Sequence, residues 1–320
     1  MADIVTFTIN PSIDVSTSVE QVMPFHKLRT APERREAGGG GINVARVMKR
    51  LGADVIAMYP IGGALGQLLR RLLDREGVPG LTTPIAEETR EDITVLEQAT
   101  GRQYRFVLPG PHFAEHEWRA CLDAFTSLDP RVRFVVGSGS LPPGVPEDFY
   151  GRVAQKAKHP GRKIIVDTSG APLEAALKSG VYLVKPSLRE FKALMGGSLD
   201  TEADLIAACR SLVGSGGVEI VALTLGDQGA LVVNSDQVLR APALPIKPVS
   251  VVGAGDSFLG GLIWSLVSGH DLKDAFRYAN AAGSAALLSP GTALSHWDDT
   301  ARLYRQVKVE TVWTRKRTRS

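Results

Sequence analysis

The run Gly253–Asp256, with the sequence Gly-Ala-Gly-Asp, has the composition needed to handle a phosphoryl group. The valine-rich segment Pro248–Val252 before it is predicted to be a strand, and the helical pattern after it places Asp256 in a first turn. The first N–H groups of a helix lack partners within it and lie at the positive end of its dipole, so this junction favours an anion. Asp256 would be a proton acceptor beside that anion, or merely a carboxylate that caps a helix. Because phosphoryl transfer depends mostly on positioning and charge neutralisation, the junction suits phosphorylation of a hydroxyl.

A second glycine run, Gly38–Gly41, also precedes a helical pattern, whose apolar face begins with Ile42 and Ala45. Four glycines can form a flexible linker, but a glycine turn that leads into a helix also lets the backbone approach a ligand closely. Asn43, in the first turn, has both donor and acceptor groups for sugar hydroxyls. We therefore expect this turn to border a sugar site.

Two familiar nucleotide motifs are absent from the sequence. Gly253–Gly255 and Gly137–Gly139 each lack the third glycine of the dinucleotide fingerprint, and no Walker A sequence occurs. The loop Thr224–Gly229 follows a predicted strand and is a candidate to receive phosphates or ribose, although an isolated motif of this kind is more often a plain turn. Any nucleotide site must therefore be of another type.

The elements that would hold these loops alternate between strands and helices. Short Val- and Ile-rich segments predict the strands Ile4–Ile9, Val55–Tyr59, Phe134–Val136, Ile164–Asp167, Tyr182–Val184, Ile220–Thr224 and Ala230–Val233. Segments with a period of 3.6 residues predict the helices Ile42–Leu51, Gly66–Glu76, Glu115–Leu128, Pro146–Lys156, Leu205–Val213, Ser257–Val267 and Ala275–Leu288. This alternation predicts an α/β fold with a mainly parallel sheet covered on both faces, and ligands bound beyond the carboxyl ends of the strands.

Two segments do not follow that alternation. Val15–Arg35 is polar, and Ile93–Val107 alternates like two antiparallel strands around residues 99–101. We expect a small β lid formed by about 11–36 and 90–108, within a single domain that spans 1–307.

Composition and charge exclude several other classes of protein. The 320 residues are 44% hydrophobic and 22% charged, which is typical of a soluble globular protein. No apolar stretch is long enough to span a bilayer and no basic secretory region begins the chain, so we expect a cytoplasmic protein without membrane contact. Cys121 and Cys209 are expected to be buried reduced thiols. Residues 308–320 carry five Lys and Arg but one acid, and we expect a solvated, frayed basic tail rather than a nucleic-acid site.

Five motifs occur here in the order that they have in the ribokinase-like, or PfkB, family of sugar kinases, which the chain resembles from about Thr6 to Thr300. These motifs are Gly38–Arg46, Gly137–Gly144, Val184–Pro186, Thr224–Gly229 and Val252–Ser257. Within the family the chain is most similar to the minor type of bacterial 6-phosphofructokinase. The segments that carry this closer similarity are Asn10–Asp14, His26–Arg29, Gly38–Gly41 and Gln103–Gly110.

The resemblance implies a three-layer α/β/α ribokinase-like fold and ATP-dependent phosphorylation of a sugar phosphate, with fructose 6-phosphate as the expected acceptor in glycolysis. Asp256 would be the general base, and the N–H groups of Gly253, Ala254 and Gly255 would stabilise the transferring phosphoryl group. The residues implied for the sugar phosphate are Asp14, Lys27, Gly39, Gly40, Gly41, Asn43, Arg90, Arg105, Ser138 and Ser140.

The resemblance also implies an ATP site, metal sites and a homodimer formed through the β lid. The residues implied for ATP are Lys185, Ser187, Thr224, Gly226, Gly229, Asn280, Gly283 and Ser284. Glu190 would act on Mg²⁺ through water, and a monovalent cation such as K⁺ would lie near Ser250, Val252, Ser289 and Gly291. Ser187 stands where the family usually has the asparagine of an Asn-x-x-Glu motif, which puts the usual metal affinity or phosphate dependence in doubt.

Two alternative acceptors are tagatose 6-phosphate and fructose 1-phosphate. The related kinases for those sugars commonly have a lysine within the glycine run, so the uninterrupted Gly38–Gly41 favours fructose 6-phosphate. The cations Lys27, Arg90 and Arg105 argue against a nonphosphorylated sugar. A regulator that has kept the fold and lost catalysis is a further alternative, against which the intact Asp256 argues.

Overall fold

The computed structural model describes residues 3–289, 291 and 293–315. Its strands are β1 (Ile4–Phe7), β2 (Ser12–Val19), β3 (Arg34–Gly38), β4 (Val55–Ile61), β5 (Gly80–Pro84), β6 (Arg90–Glu97), β7 (Gln103–Val107), β8 (Phe134–Ser138), β9 (Lys163–Asp167), β10 (Val181–Val184), β11 (Val218–Thr224), β12 (Ala230–Val233), β13 (Gln237–Ala241) and β14 (Glu310–Thr314). Its α-helices are α1 (Gly40–Arg50), α2 (Gly63–Arg75), α3 (Glu115–Asp123), α4 (Phe149–Lys156), α5 (Ala171–Ser179), α6 (Leu188–Met195), α7 (Glu202–Gly214), α8 (Ala254–Val267), α9 (Leu272–Ala286) and α10 (Trp297–Tyr304). Short 3₁₀ turns cover Ala124–Ser127 and Gly226–Gln228.

The Val- and Ile-rich strands build one central sheet of ten strands. Its order is β14, β13, β12, β11, β10, β9, β8, β1, β4, β5. The seven strands from β11 to β5 in that order pair in parallel, whereas the pairs from β11 to β14 are antiparallel. The predicted mainly parallel sheet is confirmed.

Helices cover both faces of this sheet, because successive side chains of a strand point to opposite faces. Ile4 of β1 belongs to one buried apolar cluster, which includes residues of α1, α8 and α9. Its neighbour Val5 belongs to a second cluster on the other face, which includes residues of α3, α4 and α5. The fold therefore has the three layers that the resemblance implied.

Helix α8 lies unusually close to its neighbours. A Cβ on Gly260 would be 2.7 Å from Cγ1 of Val47 in α1, and one on Gly261 would be 2.8 Å from the Cβ of Ala282 in α9. Only glycine leaves room for this approach. The packing holds the N-terminus of α8, with Asp256 in its first turn as predicted.

Four strands form a second sheet, in the order β3, β2, β6, β7, which we call the small sheet. Strands β6 and β7 are antiparallel, as their alternating sequence predicted, and β2 is antiparallel to β3. The central pair, β2 and β6, is parallel. The predicted segment 11–36 contains β2 and the first three residues of β3, and the segment 90–108 contains β6 and β7. Their role as a lid stays a prediction.

The predicted strand Pro248–Val252 was wrong, because the structure has a loop there. Val249 and Val251 are 56% and 64% exposed. β-Branched residues favour strands when their side chains pack against a sheet, and these two side chains do not. The backbone N–H of Val249 instead donates to the carbonyl of Leu287, after the end of α9.

The predicted frayed tail was wrong for residues 310–314, which form β14. This strand is antiparallel to β13, with Trp313 opposite Val238. The ring of Trp313 also lies 4.0 Å from the guanidinium carbon of Arg210 in α7, a cation–π contact. Residues 316–320 of the predicted tail lie outside the described residues.

Two further predictions concern burial and membranes. Cys121 and Cys209 are free and buried, and burial raises the pKa of each thiol to about 12. None of the helices in the described part of the chain is long and apolar enough to cross a bilayer.

Candidate active site

Three ionisable side chains meet where parallel strands end and α8 begins. Asp167 is the last residue of β9, Lys185 follows β10, and Asp256 is in the first turn of α8. The Lys185 Nζ lies 3.2 Å from Asp167 Oδ1. A Cβ on Gly255 would be 3.3 Å from the same Nζ, so the ammonium group lies against the start of α8. A cation and a helix N-terminus therefore favour an anion in the same space.

The carboxyl group of Asp256 has a raised pKa. Burial, together with the charge of Asp167, raises the pKa to about 6, although the hydrogen bond from Asn43 and the charge of Lys185 act in the opposite direction. Such a group is a stronger base than an ordinary aspartate and is still mostly ionised at neutral pH. Desolvation has thus tuned this carboxylate toward proton transfer.

Lys185 and Asp167 form a nearly buried salt bridge. Burial by itself would lower the pKa of Lys185. The nearby carboxylates of Asp167, Asp256 and Glu190 outweigh this effect, so the pKa is raised overall. Burial raises the pKa of Asp167, and Lys185 opposes that shift. The net effect raises the pKa of Lys185, so its ammonium group stays charged beside Asp167.

The glycine run is a close-packed turn rather than a flexible linker. A Cβ on Gly38 would be 2.0 Å from Asp14 Oδ1, and one on Gly40 would be 2.2 Å from Ser138 Oγ. Gly39 has a φ of 105°, in the region that favours glycine. The backbone of this turn therefore lies directly against two of the polar side chains predicted to bind sugar.

Asp14 and Asn43 both lie close to the candidate base. The Asn43 Nδ2 donates to Asp256 Oδ2 at 2.8 Å. Asp14 Oδ1 accepts from Ser12 Oγ at 2.7 Å. Burial raises the pKa of Asp14, and the hydrogen bond from Ser12 opposes that shift. The structure therefore brings together the hydroxyl-binding groups that the sequence predicted around Asp256.

Arg90 is a nearly buried cation at the start of β6. Its Nη1 donates to the Leu108 carbonyl at 2.6 Å, and its Nη2 donates to the Asn10 carbonyl at 3.2 Å. Its Nη1 is also 3.3 Å from Asp92 Oδ1. The Nε is buried and has no hydrogen-bond partner within the described residues. One donor of this fork is therefore left for a ligand.

The other predicted phosphate-binding cations are placed less tightly. Arg105, on β7, and Lys27, in the loop between β2 and β3, are exposed. Arg105 is close enough to Asp92 to lower the pKa of that carboxyl group, whose pKa burial raises. Ser140 is exposed, and its Oγ accepts a hydrogen bond from Asn10 Nδ2 at 3.4 Å. The structure therefore groups Arg90, Arg105 and Ser140 around Asn10 and Asp92, and leaves Lys27 on the surface.

The predicted nucleotide side begins beside Lys185. Ser187 is the N-cap of α6, and Glu190 completes a capping box, with its Oε2 accepting from the Ser187 N–H at 2.8 Å. Thr224, at the end of β11, forms an isolated bridge with Ser187. One oxygen of Glu190 therefore supports the helix, and the other lies outside the capping box.

The remaining predicted nucleotide residues have clear packing roles. Gly229 has a φ of 100°, and a Cβ there would be 2.1 Å from the Ala241 carbonyl. Gly226 has a φ of 63° in the same turn. Asn280 donates to the carbonyl of Phe276 within α9, and Gly283, one turn before the end of α9 and next to Ser284, packs against Phe258. The structure does not bring these α9 residues into hydrogen-bond contact with Lys185 in the described part of the chain.

Some of the residues predicted to hold a monovalent cation contact one another. Ser250 Oγ donates to the Gly291 carbonyl at 3.0 Å and accepts from the Val252 N–H at 3.2 Å. Ser289 lies two residues before Gly291 and three residues after the end of α9. The contacts of Ser250 therefore connect Gly291 with the segment that contains Val252, and the cation site itself stays a prediction.

A carbohydrate-kinase family model, described as pfkB family carbohydrate kinase, matches residues 8–299. The chain belongs to this pfkB family. It is similar to the ATP-dependent 6-phosphofructokinase isozyme 2 of Mycobacterium tuberculosis (strain ATCC 25618 / H37Rv), with 44% identity over 301 residues that cover 94% of this chain and 88% of the relative. It is also similar to a 1-phosphofructokinase of Borreliella burgdorferi, with 31% identity over 312 residues that cover 97% of this chain and 99% of the relative.

A solved structure extends the pfkB similarity to three dimensions. The crystal structure of phosphofructokinase-2 from Escherichia coli in complex with potassium has a TM-score of 0.91 and 40% identity, and the match covers 96% of this chain and 99% of that chain. The ribokinase-like fold is therefore confirmed.

Two polar residues of the pfkB site were not predicted as site residues. Asp167 was assigned only to the end of a strand, and it pairs with Lys185. The rule that ligands bind beyond the carboxyl ends of parallel strands was a signal that could have found it. Asn10, 3% exposed, donates to the Pro109 carbonyl at 2.9 Å and keeps an unpartnered Oδ1 within the described residues. The segment Asn10–Asp14 carried part of the family similarity, and this was the signal that could have found the side chain.

Proposed function

We propose that this pfkB kinase is a 6-phosphofructokinase that transfers the γ-phosphoryl group of ATP to O1 of fructose 6-phosphate. The observation that carries the proposal is the junction at the start of α8, where Asp256, hydrogen-bonded to Asn43, lies beside Lys185. The 44% identical relative carries the 6-phosphofructokinase name, whereas the 1-phosphofructokinase is 31% identical. Tagatose 6-phosphate and fructose 1-phosphate are the alternative acceptors.

Asp256 would act as the general base. As the bond between O1 and the γ-phosphorus forms and the bond to the β-phosphate oxygen of ATP breaks, the proton of O1 passes to the carboxylate. The N–H groups of Gly253, Ala254 and Gly255 would stabilise the charge of the transferring group. Lys185 would stabilise the charge that collects on the departing ADP.

The sugar phosphate would be bound from two directions. Asp14, Asn43 and the turn Gly39–Gly41 would bind its hydroxyl groups, with Ser138 on the same side. The Arg90 Nε, buried and unpartnered among the described residues, favours a 6-phosphate at the small sheet, with Arg105, Lys27 and Ser140 bordering it.

ATP would lie along Lys185, Ser187 and Thr224, with the Gly226–Gly229 turn and the Asn280–Ser284 segment of α9 at its edge. Mg²⁺ fits the surrounding chemistry, because hard cations prefer carboxylate oxygens and Asp167, Asp256 and Glu190 all act on Lys185. Glu190, through water, would hold the ion, which would neutralise phosphate charge. No group of three His, Cys, Asp or Glu side chains among the described residues is preformed for a metal, which agrees with an ion held largely by phosphates and water.

A monovalent cation and a homodimer are further parts of the proposal. Ser250, Val252, Ser289 and Gly291 would supply oxygen atoms for K⁺, and the similar Escherichia coli structure is in complex with potassium. Phe106 of the small sheet is 57% exposed and is paired on the same face with Ile93, which is 37% exposed. An apolar face of this kind favours a dimer through the small sheet. The function would place the protein in the cytoplasm.

Turnover should rise with pH through about 6, because only the ionised form of Asp256 can accept a proton and burial raises the pKa of this group to about 6. The measurement is kcat against pH at saturating concentrations of both substrates. A turnover number that stays constant well below this pH would contradict the assignment of Asp256 as the base.

The acceptor should be fructose 6-phosphate. We expect its kcat/KM to exceed those of tagatose 6-phosphate and fructose 1-phosphate at least about tenfold, equivalent to about 1.4 kcal/mol of transition-state stabilisation. The measurement is ATP consumption with each sugar phosphate in turn. A tenfold preference for another sugar would reassign the substrate, and no consumption with any of them would support a regulator without catalysis.

A further inference from the structure

The side-chain amide of Asn43 lies between two charged groups of opposite sign. Its Nδ2 donates to Asp256 Oδ2 at 2.8 Å, and its Oδ1 is 3.4 Å from Nη1 of Arg46. A guanidinium group only donates hydrogen bonds and a carboxylate only accepts them. One orientation of the amide therefore satisfies both neighbours, and the flipped orientation satisfies neither.

Arg46 is fixed in place by groups other than Asn43. It is 1% exposed, its Nε is 2.8 Å from Glu76 Oε1, and its Nη1 donates to the Ala37 carbonyl at 2.6 Å. Its Nη2 is 3.4 Å from Glu36 Oε1. Because 3.4 Å to Asn43 is long for a hydrogen bond, the fixed positive charge orients the amide dipole more than the bond itself does.

The two residues act together because of their spacing. Asn43 and Arg46 are three positions apart in α1, so their side chains lie on the same face. The helix thus places the guanidinium directly behind the amide that contacts the base. The sugar-facing residue and its support come from one rigid element.

We propose that Arg46 is a positioning residue of the catalytic centre, which keeps the NH₂ group of Asn43 directed at Asp256 Oδ2 and leaves Oδ1 of the base for the acceptor hydroxyl. This inference rests on the proposed role of Asp256. Arg46 is the last residue of the motif Gly38–Arg46, in which the resemblance implied a role only for the glycines and Asn43.

The consequence concerns the ionisation of the base. Asp256 also faces Asp167, Lys185 and Asp14, whose charges are unaffected by the orientation of the Asn43 amide. A fixed NH₂ donor favours the carboxylate, which can accept its hydrogen bond. Without Arg46 the Asn43 amide is free to turn, so that its oxygen accepts a hydrogen bond from the protonated carboxyl group of Asp256. This arrangement favours the protonated form, which cannot act as a base.

The test is the pH dependence of kcat/KM for fructose 6-phosphate in Arg46→Met. We expect the acid limb to move upward by about one pH unit, the shift equivalent to one net hydrogen bond to a charged group. Arg46→Lys should shift the acid limb less, because an ammonium group keeps the positive charge but cannot contact Glu76, Ala37 and Glu36 at once. Substrate phosphate groups also titrate near this pH, but their ionisation is common to all variants and cancels in the comparison.

Arg50→Met is the matched control. Arg50 lies one turn later in α1, is 2.9 Å from Glu76 Oε2, and donates also to the carbonyl groups of Ala293 and Ser295. The variant removes a cation from the same acid, and we expect the acid limb to stay in place. In an Asn43→Ala background, Arg46→Met should cause no further shift.

Three outcomes would overturn or redirect the inference. An unchanged acid limb in folded Arg46→Met, even with a lower melting temperature, would show that Arg46 only stabilises the fold. Equal shifts in the Arg46 and Arg50 variants would show general electrostatics rather than amide orientation. If Arg46→Met does not fold, Arg46→Gln, which also removes the charge but keeps a polar side chain, is measured in its place with the same expected shift. Retained turnover in Asp256→Asn would instead remove the base itself, so the two failures are distinguishable.

Discussion

Asp256→Asn should lower the turnover number at least about a hundredfold, the lower range for a positioned acid–base group. Asparagine still accepts the hydrogen bond that Asn43 Nδ2 donates, so the local geometry should persist, but its amide cannot take the proton of the acceptor hydroxyl. The measurement is kcat at saturating ATP and fructose 6-phosphate. Near-normal turnover would exclude Asp256 from the mechanism.

The same substitution should stabilise the fold at neutral pH. Folding raises the pKa of Asp256 from 3.8 to about 6, so the folded protein binds this proton more tightly than the unfolded chain does. The ionised carboxylate therefore destabilises the fold increasingly as the pH rises from 3.8 through about 6, by at most about 3 kcal/mol. Chemical denaturation of both proteins should show a difference at neutral pH that disappears near the lower pKa.

Asp271→Asn is the matched control. Asp271 is the N-cap of α9, and its Oδ1 accepts from the Asp274 N–H at 2.8 Å. Asparagine caps helices about as well as aspartate, so turnover and stability should both stay close to those of the parent. If the two variants behaved alike, Asp256 would be a capping residue only.

Arg90→Ala should raise the KM for fructose 6-phosphate by about ten- to a hundredfold, because hydrogen bonds to charged groups contribute about 1.5–3 kcal/mol. The KM for ATP should change far less, since Arg90 lies at the small sheet and ATP would lie beside Lys185. Steady-state kinetics with each substrate varied in turn gives both values.

Two further variants separate binding from folding in that experiment. Arg90→Lys keeps the charge but loses the planar guanidinium group that contacts Leu108 and Asn10. Its KM for fructose 6-phosphate should therefore lie between those of the parent protein and Arg90→Ala. Arg102→Ala removes an exposed arginine from the same hairpin and should leave both KM values unchanged. Equal increases for both substrates in Arg90→Ala would mean that the phosphate contact is assigned wrongly.

Local spacing predicted the parts of the site that depend on neighbours in sequence. The first turn of α8 and the turn Gly38–Gly41 were predicted because glycines, a carboxylate and a helical pattern follow one another directly. The helices α5, α6 and α10 were not predicted, because each covers only eight or nine residues, a length at which a helical period is hard to distinguish from a loop. Pro248–Val252 shows the opposite error, since valine preference predicted a strand where no neighbouring strand is available to pair with it.

Contacts between segments that are distant along the chain could not be predicted from the sequence. Residues 310–314 pair with β13 only because the fold brings the two together, so charge alone suggested a tail. Asp167 and Lys185 come from two strand ends, and neither sequence neighbourhood indicates the other. The orientation of Asn43 by Arg46 was hidden for a different reason, since an arginine within a helix is usually a solvated side chain.

The parallel pairing of β2 with β6 has a consequence for how the molecule assembles. Between these strands the chain forms β3, α1, β4, α2 and β5, so Ser12 meets Arg90 only after those elements are in place. Contacts between distant segments carry a loop-closure cost and form slowly. The small sheet therefore cannot be completed by neighbouring hairpins alone, and in a nascent chain that ends before β6 the strand of Asp14 has β3 on one side and lacks its parallel neighbour on the other. The sugar-binding side of the site should therefore be completed late in folding.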